Sequence, residues 1–76
     1  MDEERMKGLS PSVLVNGQSI AIAAGETVSD LIARLGLVEK GIAVAKNAEV
    51  LPRSMWKNTV LHQKDVLEVL APQAGG

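Results

Sequence analysis

The sequence contains no cysteine, phenylalanine or tyrosine, and it has a single tryptophan, Trp56. The absence of cysteine excludes a disulfide framework, a thiolate zinc site and a thiol nucleophile on this chain. Because aromatic side chains are nearly absent, the hydrophobic core must be assembled from Val, Ile, Leu and Ala. The composition therefore predicts a small aliphatic core and excludes cysteine-based chemistry.

An excess of positive or negative charge is also lacking. The chain has eight Lys and Arg and nine Asp and Glu, which gives a net charge of −1. The basic residues are scattered, so the footprint of a nucleic-acid-binding protein is missing. No apolar run approaches the length of a membrane span, and the polar start has no apolar middle of a signal peptide. We expect a cytoplasmic protein that binds neither nucleic acid nor membranes.

The length of 76 residues is enough for one domain. A chain this short buries only about 60% of its unfolded surface, so its core must be simple. The sequence predicts a polar, flexible N-terminal arm over residues 1–10, a folded domain over residues 11–71 and a flexible tail over residues 72–76.

A β-hairpin is predicted around Asn16-Gly17. Asn-Gly favours a type I′ turn, which needs positive φ at both central residues. Apolar residues alternate on both sides of the turn, as expected for two strands with one face in the core. A helix follows at about residues 28–35, with Thr27 as N-cap, Asp30 as a capping acid and Gly36 as the left-handed residue after its end.

Three further apolar segments complete the pattern. "GIAVAKN" alternates as a strand, "EVL" is a short strand ended by Pro52, and "VLEVLA" is the last strand. The segment "PRSMWKN" is interpreted as an irregular turn. The order β-β-α-β-β, with the short strand "EVL" added in the penultimate position, predicts an α+β fold of the ubiquitin-like β-grasp type, with a mixed sheet of four to five strands and one main helix packed on one face.

The predicted core consists of the apolar residues that these periods place on one side. They are Val13, Val15, Ile20, Ile22, Val28, Leu31, Ile32, Leu35, Ile42, Val44, Leu51, Leu67 and Val69.

The side chains that could carry chemistry have simpler structural interpretations. His62, the only histidine, lies in a polar turn. A catalytic histidine needs a nucleophile and an orienting partner, and the residue spacing indicates neither. Trp56 is expected to pack over an edge of the core rather than to hold a ligand. Lys46 is expected to extend its stem along the end of a strand. No catalytic residue, metal site or bound cofactor is predicted.

The final segment, "LAPQAGG", is the remaining candidate for function. Gly75 and Gly76 lack Cβ atoms, so they could enter a passage too narrow for other residues and present a free carboxylate there. Five residues reach roughly 16 Å beyond the edge of the sheet. On the tail alone, a frayed end that happens to be glycine is the alternative interpretation.

Beyond the tail, Ala43, Ala45 and Leu70 are predicted to form an apolar surface on the outward side of the sheet, where a partner could bind. Pro72 and Ala74 extend this predicted partner-binding set into the tail.

Three stretches together resemble the small ThiS-type sulfur carrier proteins of thiamine biosynthesis: "VNGQSIAIAAGETVSDLIARLGL", "IAVAKNAEVLPRSMW" and the final "GG". The resemblance covers residues 12–76. Three features depart from the family pattern: the polar arm, the turn "HQKD" without its usual glycine, and Lys46 at a commonly apolar position.

The resemblance implies that the protein is a cosubstrate and not an enzyme. An E1-like adenylyltransferase would use ATP to adenylate the Gly76 carboxylate, and a persulfide from a cysteine desulfurase relay would convert it into a thiocarboxylate. Thiazole synthase would then consume the sulfur. The free carrier is expected to be a monomer.

Other functions remain open at this point. Molybdopterin-type and tRNA-thiolation sulfur carriers share the fold and the tail. The protein could also be a ubiquitin-like modifier joined to lysines of its targets through Gly76. A non-covalent β-grasp interaction module is the third alternative.

Overall fold

A computed structural model describes residues 11–71 of the chain. The predicted arm (residues 1–10) and the predicted tail (residues 72–76) both lie outside the described residues. The elements in chain order are strands β1 and β2, helix α1, strands β3 and β4, a 3₁₀ helix and strand β5. Their bounds are Ser12–Val15, Gln18–Ala21, Val28–Arg34, Ala43–Lys46, Glu49–Leu51, Arg53–Asn58 and Val66–Leu70.

The strands form one mixed five-stranded sheet in the order β2-β1-β5-β3-β4. β1 pairs in parallel with β5, and the other neighbours are antiparallel. With α1 packed on one side, this is the β-grasp arrangement, and the predicted fold class is confirmed. β5 is the central strand of the sheet, and it ends at Leu70, two residues before the tail segment in sequence.

The hairpin turn and the helix cap form at the residues predicted from the sequence. Asn16 and Gly17 have φ values of 51° and 86°, both in the left-handed region that the turn requires. At the start of α1, the Asp30 N–H donates to the Thr27 hydroxyl, and the Thr27 N–H donates to the Asp30 carboxylate. This reciprocal pair satisfies amide donors that the first turn of a helix leaves free. Gly36 follows with a φ of 75°.

The core lies between α1 and the side of the sheet that faces it. Eight of the predicted core residues are buried, while Ile20, Ile22, Leu35, Ile42 and Leu51 are half-buried at its margin. Two residues were missed in the core prediction, Trp56 and Leu61. None of the helices within residues 11–71 is long and apolar enough to cross a membrane.

The prediction of an irregular turn at residues 52–58 was wrong, because Arg53–Asn58 form a 3₁₀ helix. Trp56 anchors this helix with only 2% of its surface exposed. Its indole N–H donates to the carbonyl oxygen of Leu51 at 2.9 Å, which ties the 3₁₀ helix to β4. Trp56 is thus a core residue and does not pack over an edge of the core as predicted. Because its indole is buried, it offers no exposed surface to a ligand.

Candidate functional site

The described part of the candidate site is the outer face, defined as the side of the sheet opposite α1. The predicted site residues Gly76, Gly75, Pro72 and Ala74 lie outside the described residues. The outer face is built by the strand residues whose neighbours in sequence point into the core. These are Ser12, Leu14, Ser19, Ala21, Ala43, Ala45, Val50, Val66, Glu68 and Leu70.

Strand register brings three predicted partner-binding residues together near the end of β5. Ala43 pairs with Leu70, and Ala45 lies between Glu68 on one side and Val50 on the other. The small alanine side chains leave a shallow cavity of about 60 Å³ between the larger ones. It is lined by Ala43, Val44, Ala45, Val50, Glu68 and Leu70.

The outer face is apolar for a solvent-exposed surface. Leu70 and Val50 are 68% and 79% exposed, and Leu14 and Val66 extend the apolar area toward β1. Glu68 is the one charged strand residue on this face within residues 11–71. Exposed apolar surface of this kind is typical of protein-binding sites.

Two asparagine side chains hold the central strand at its opposite ends. Asn16 accepts from the Val69 N–H at 2.8 Å and donates to the Val69 carbonyl at 3.2 Å. Asn47 accepts from the Val66 N–H at 2.9 Å. The Asn-Gly pattern predicted only the turn at Asn16, because a side-chain partner on a distant strand has no signal in the local sequence.

A second, polar groove of about 710 Å³ lies beside the 3₁₀ helix, on the α1 side of the domain. Its Glu39 carboxylate accepts from the Ser29 hydroxyl at 3.2 Å and lies 3.7 Å from Nε of Arg53. The charges of Glu39 and Arg53 therefore face each other within the groove. This region contrasts with the outer face, where apolar side chains predominate.

Comparison with known proteins identifies the family of this chain. The model of the ThiS family matches residues 13–76, which includes both terminal glycines. The chain belongs to the ThiS family.

Two named proteins are similar to this chain in sequence. The sulfur carrier protein ThiS of Escherichia coli K12 is 33% identical over 64 residues, which are 84% of this chain and 97% of that protein. A thiazole synthase of Paramagnetospirillum magneticum is 31% identical over 64 residues, 84% of this chain but only 20% of that longer protein.

Solved structures of a ThiS protein have the same fold. The crystal structure of the thiamine biosynthesis protein ThiS from Geobacter metallireducens superposes with a TM-score of 0.69 at 28% identity. The superposition covers 86% of this chain and 99% of that one. A solution NMR structure of the same protein gives the same TM-score and covers 87% of that chain.

The other candidates in this ThiS-family chain have structural roles. His62 is exposed in its turn, and its backbone N–H donates to Asp65. Lys46 is half-buried at the end of β3, with its amine 3.9 Å from the Asp65 carboxylate. Within residues 11–71, no three His, Asp or Glu side chains gather as they would around a metal ion.

Two buried carboxylates stabilise loops next to the sheet. The guanidinium of Arg34 bonds the Glu26 carboxylate and holds the pKa of Glu26 below its ordinary value. Burial raises the pKa of Asp65, but hydrogen bonds from the His62 N–H and the Asn47 amide outweigh it, and the net pKa is lowered. Both acids are therefore charged at neutral pH and serve the fold.

Proposed function

We propose that this protein is a sulfur carrier of thiamine biosynthesis, which holds sulfur as a thiocarboxylate on Gly76. The observation that carries the proposal is the ThiS-family match, which extends to residue 76 and so includes the Gly-Gly end. The name of the Escherichia coli relative, a sulfur carrier protein, supports it. The protein itself is a cytoplasmic cosubstrate, and the catalytic groups belong to its partners.

The proposed chemistry begins with activation of the terminal carboxylate. An oxygen of the Gly76 carboxylate attacks the α-phosphorus of ATP on an E1-like adenylyltransferase, and pyrophosphate leaves. The resulting acyl adenylate has AMP as a good leaving group, which a free carboxylate lacks. Such covalent intermediates divide one difficult substitution into two easier ones.

Sulfur enters in the second stage. The terminal sulfur of a persulfide, supplied by a cysteine desulfurase relay, attacks the acyl carbon and displaces AMP. The product is an acyl disulfide. A thiol then cleaves its sulfur–sulfur bond, so that the thiol becomes part of a new disulfide and the thiocarboxylate remains on Gly76. Because this chain has no cysteine, the persulfide and the thiol must come from its partners.

The outer face is the proposed docking surface for the adenylyltransferase. Leu70 is the last residue of β5 before the tail segment. Its side chain lies on the outer face beside the flat surface of Ala43 and Ala45. A partner that covers this surface would bury apolar area close to where the tail begins. Pro72 and Ala74 are proposed to contact the same partner along the entry path.

Thiazole synthase is the proposed acceptor of the sulfur. The thiazole synthase of Paramagnetospirillum magneticum contains a segment similar to this chain, and that segment makes up a fifth of its length. When two functions occur in one polypeptide, one module is held at high effective concentration near the other. This supports a working partnership between the carrier and thiazole synthase.

The docking surface is tested by ATP–pyrophosphate exchange with the cognate adenylyltransferase. Leu70→Glu should lower exchange sharply while the domain stays folded, because Leu70 is 68% exposed. Met55→Glu is the matched control, since Met55 is 47% exposed on the 3₁₀ helix and lies off the outer face. Equal exchange by both variants and the native protein would remove the outer face as the docking surface.

The tail is tested in the same assay with a circular-dichroism check of folding. One residue added after Gly76 moves the carboxylate by about 3.3 Å, and a misplacement of about 1 Å can cost roughly a hundredfold. The extended protein and Gly75→Val should both fold and fail to support exchange. If both are as active as the native protein, the tail is not the reacting end and an interaction module becomes the better account.

A further inference from the structure

The end of β5 extends beyond the strand that pairs with it on one side. The last β1–β5 pair joins Val15 to Leu67, after which the chain turns away at Asn16 and Gly17. The backbone N–H of Asn16 still donates to the Leu67 carbonyl at 2.9 Å. In a regular ladder the next bonds would go to Val69, but the β1 backbone is no longer there to make them.

The side chain of Asn16 takes the place of the missing strand. Its amide oxygen accepts from the Val69 N–H at 2.8 Å, and its amide nitrogen donates to the Val69 carbonyl at 3.2 Å. A primary amide can make both bonds because it carries a donor and an acceptor side by side, as a peptide group does. Through its backbone and its side chain, this one residue therefore holds both Leu67 and Val69.

We propose that Asn16 is a positioning residue for activation of the C-terminal carboxylate. By bonding both backbone groups of Val69, it keeps the end of β5 extended in the sheet. Together with the pairing of Leu70 to Ala43 of β3 on the other side, this directs Leu70 onto the outer face and fixes the point from which the chain continues toward Gly76. The inference rests on the proposed function, since it assigns Asn16 a part in presenting the carboxylate to the adenylyltransferase.

Asn47 provides a matched comparison in the same molecule. It too is an asparagine with a φ of 51° in a turn between two strands. Its amide oxygen accepts from the Val66 N–H, at the opposite end of β5 from Leu70, and its amide nitrogen donates to Asp65. A variant at Asn47 therefore loses one bond to the central strand and one to the Asp65 side chain, without loosening the end of β5 that leads to the tail.

The experiment compares Asn16→Gly with Asn47→Gly in the full chain. Glycine accepts positive φ, so both turns should still form. Amide hydrogen exchange should be about tenfold or more faster at Val69 in the first variant and at Val66 in the second, because each amide loses its acceptor. These two rates establish that each substitution has released its own end of β5.

ATP–pyrophosphate exchange with the adenylyltransferase then gives the functional result. Asn16→Gly should lower kcat about tenfold to a hundredfold, because a reaction that depends on positioning loses that much for small displacements. KM should change less, because most of the outer face still docks. Asn47→Gly should keep kcat within about twofold of the native value.

A third variant removes the donor and keeps the acceptor. Asn16→Asp still accepts from the Val69 N–H, but when ionised it sets a carboxylate oxygen against the Val69 carbonyl, so its kcat should fall below the native value. Equal losses in Asn16→Gly and Asn47→Gly, or a native kcat in Asn16→Gly, would overturn the proposal. Failure of the native protein itself to support exchange would instead refute the proposed function on which it rests.

Discussion

Replacement of Trp56 should cost a large share of the stability of this domain. Its side chain is 2% exposed, and its indole N–H donates to the Leu51 carbonyl. Truncation of a buried tryptophan to alanine costs about 3–5 kcal/mol. At roughly 0.05–0.15 kcal/mol per residue, a chain of 76 residues has a total of only about 4–11 kcal/mol. Trp56→Ala should therefore remove about a quarter or more of the free energy of unfolding.

A milder variant separates the hydrogen bond from the packing. Trp56→Phe keeps an aromatic ring but leaves the Leu51 carbonyl without its partner, which should cost about 1–3 kcal/mol. Urea unfolding is followed by far-ultraviolet circular dichroism, since both variants lack the only tryptophan. Met55→Ala, at the exposed neighbouring position, should stay within about 0.5 kcal/mol of native. Trp56 variants as stable as this control would refute the assigned role of the indole.

Other predictions concern a turn residue, the loss of stability at acid pH and the core. Lys64 has a φ of 75°, so Lys64→Gly should raise the free energy of unfolding by about 0.5–1 kcal/mol; a lower thermal midpoint would contradict this. The pKa of Glu26 is lowered by Arg34, so its stabilisation is complete above the ordinary glutamate pKa of 4.5 and is lost as pH falls through the lowered value. Glu26→Gln should therefore flatten the fall in thermal midpoint toward acid pH, and an unchanged slope would count against this pair. Leu31 is fully buried, so Leu31→Ala should cost about 2–5 kcal/mol in urea unfolding, and a cost below about 0.5 kcal/mol would refute its place in the core.

Local periodicity was sufficient to predict the fold and most of its elements. The alternation around Asn16 and the helical spacing after Thr27 each identify an element and its buried side, because one face of each must pack on the other. The order of the elements then leaves few ways to build a sheet that α1 can cover. The outer position of Ala43 and Ala45 follows from the same alternation.

The features missed in the sequence depend on tertiary contacts. A six-residue 3₁₀ helix is too short to show an apolar period, so Trp56 gave no sign of full burial. Leu61 follows Val60 in a two-residue apolar stretch that is too short to show a period. The bond from Asn16 to Val69 spans 53 residues and exists only because β1 ends before β5 does. The turn "HQKD" lacks the glycine that is usual in the sulfur-carrier pattern, and within it Lys64 has a positive φ, which favours glycine.

The intact mass of the protein purified from its own cells shows whether sulfur is carried on Gly76. We expect a fraction of the protein to be heavier by the mass difference between sulfur and oxygen, and fragmentation should place that difference on the C-terminal residue. Treatment with a thiol-reactive alkylating agent should label only that fraction, because the chain contains no cysteine. A chain found only with an unmodified carboxylate, or found with Gly76 in an isopeptide bond to another protein, would contradict the claim.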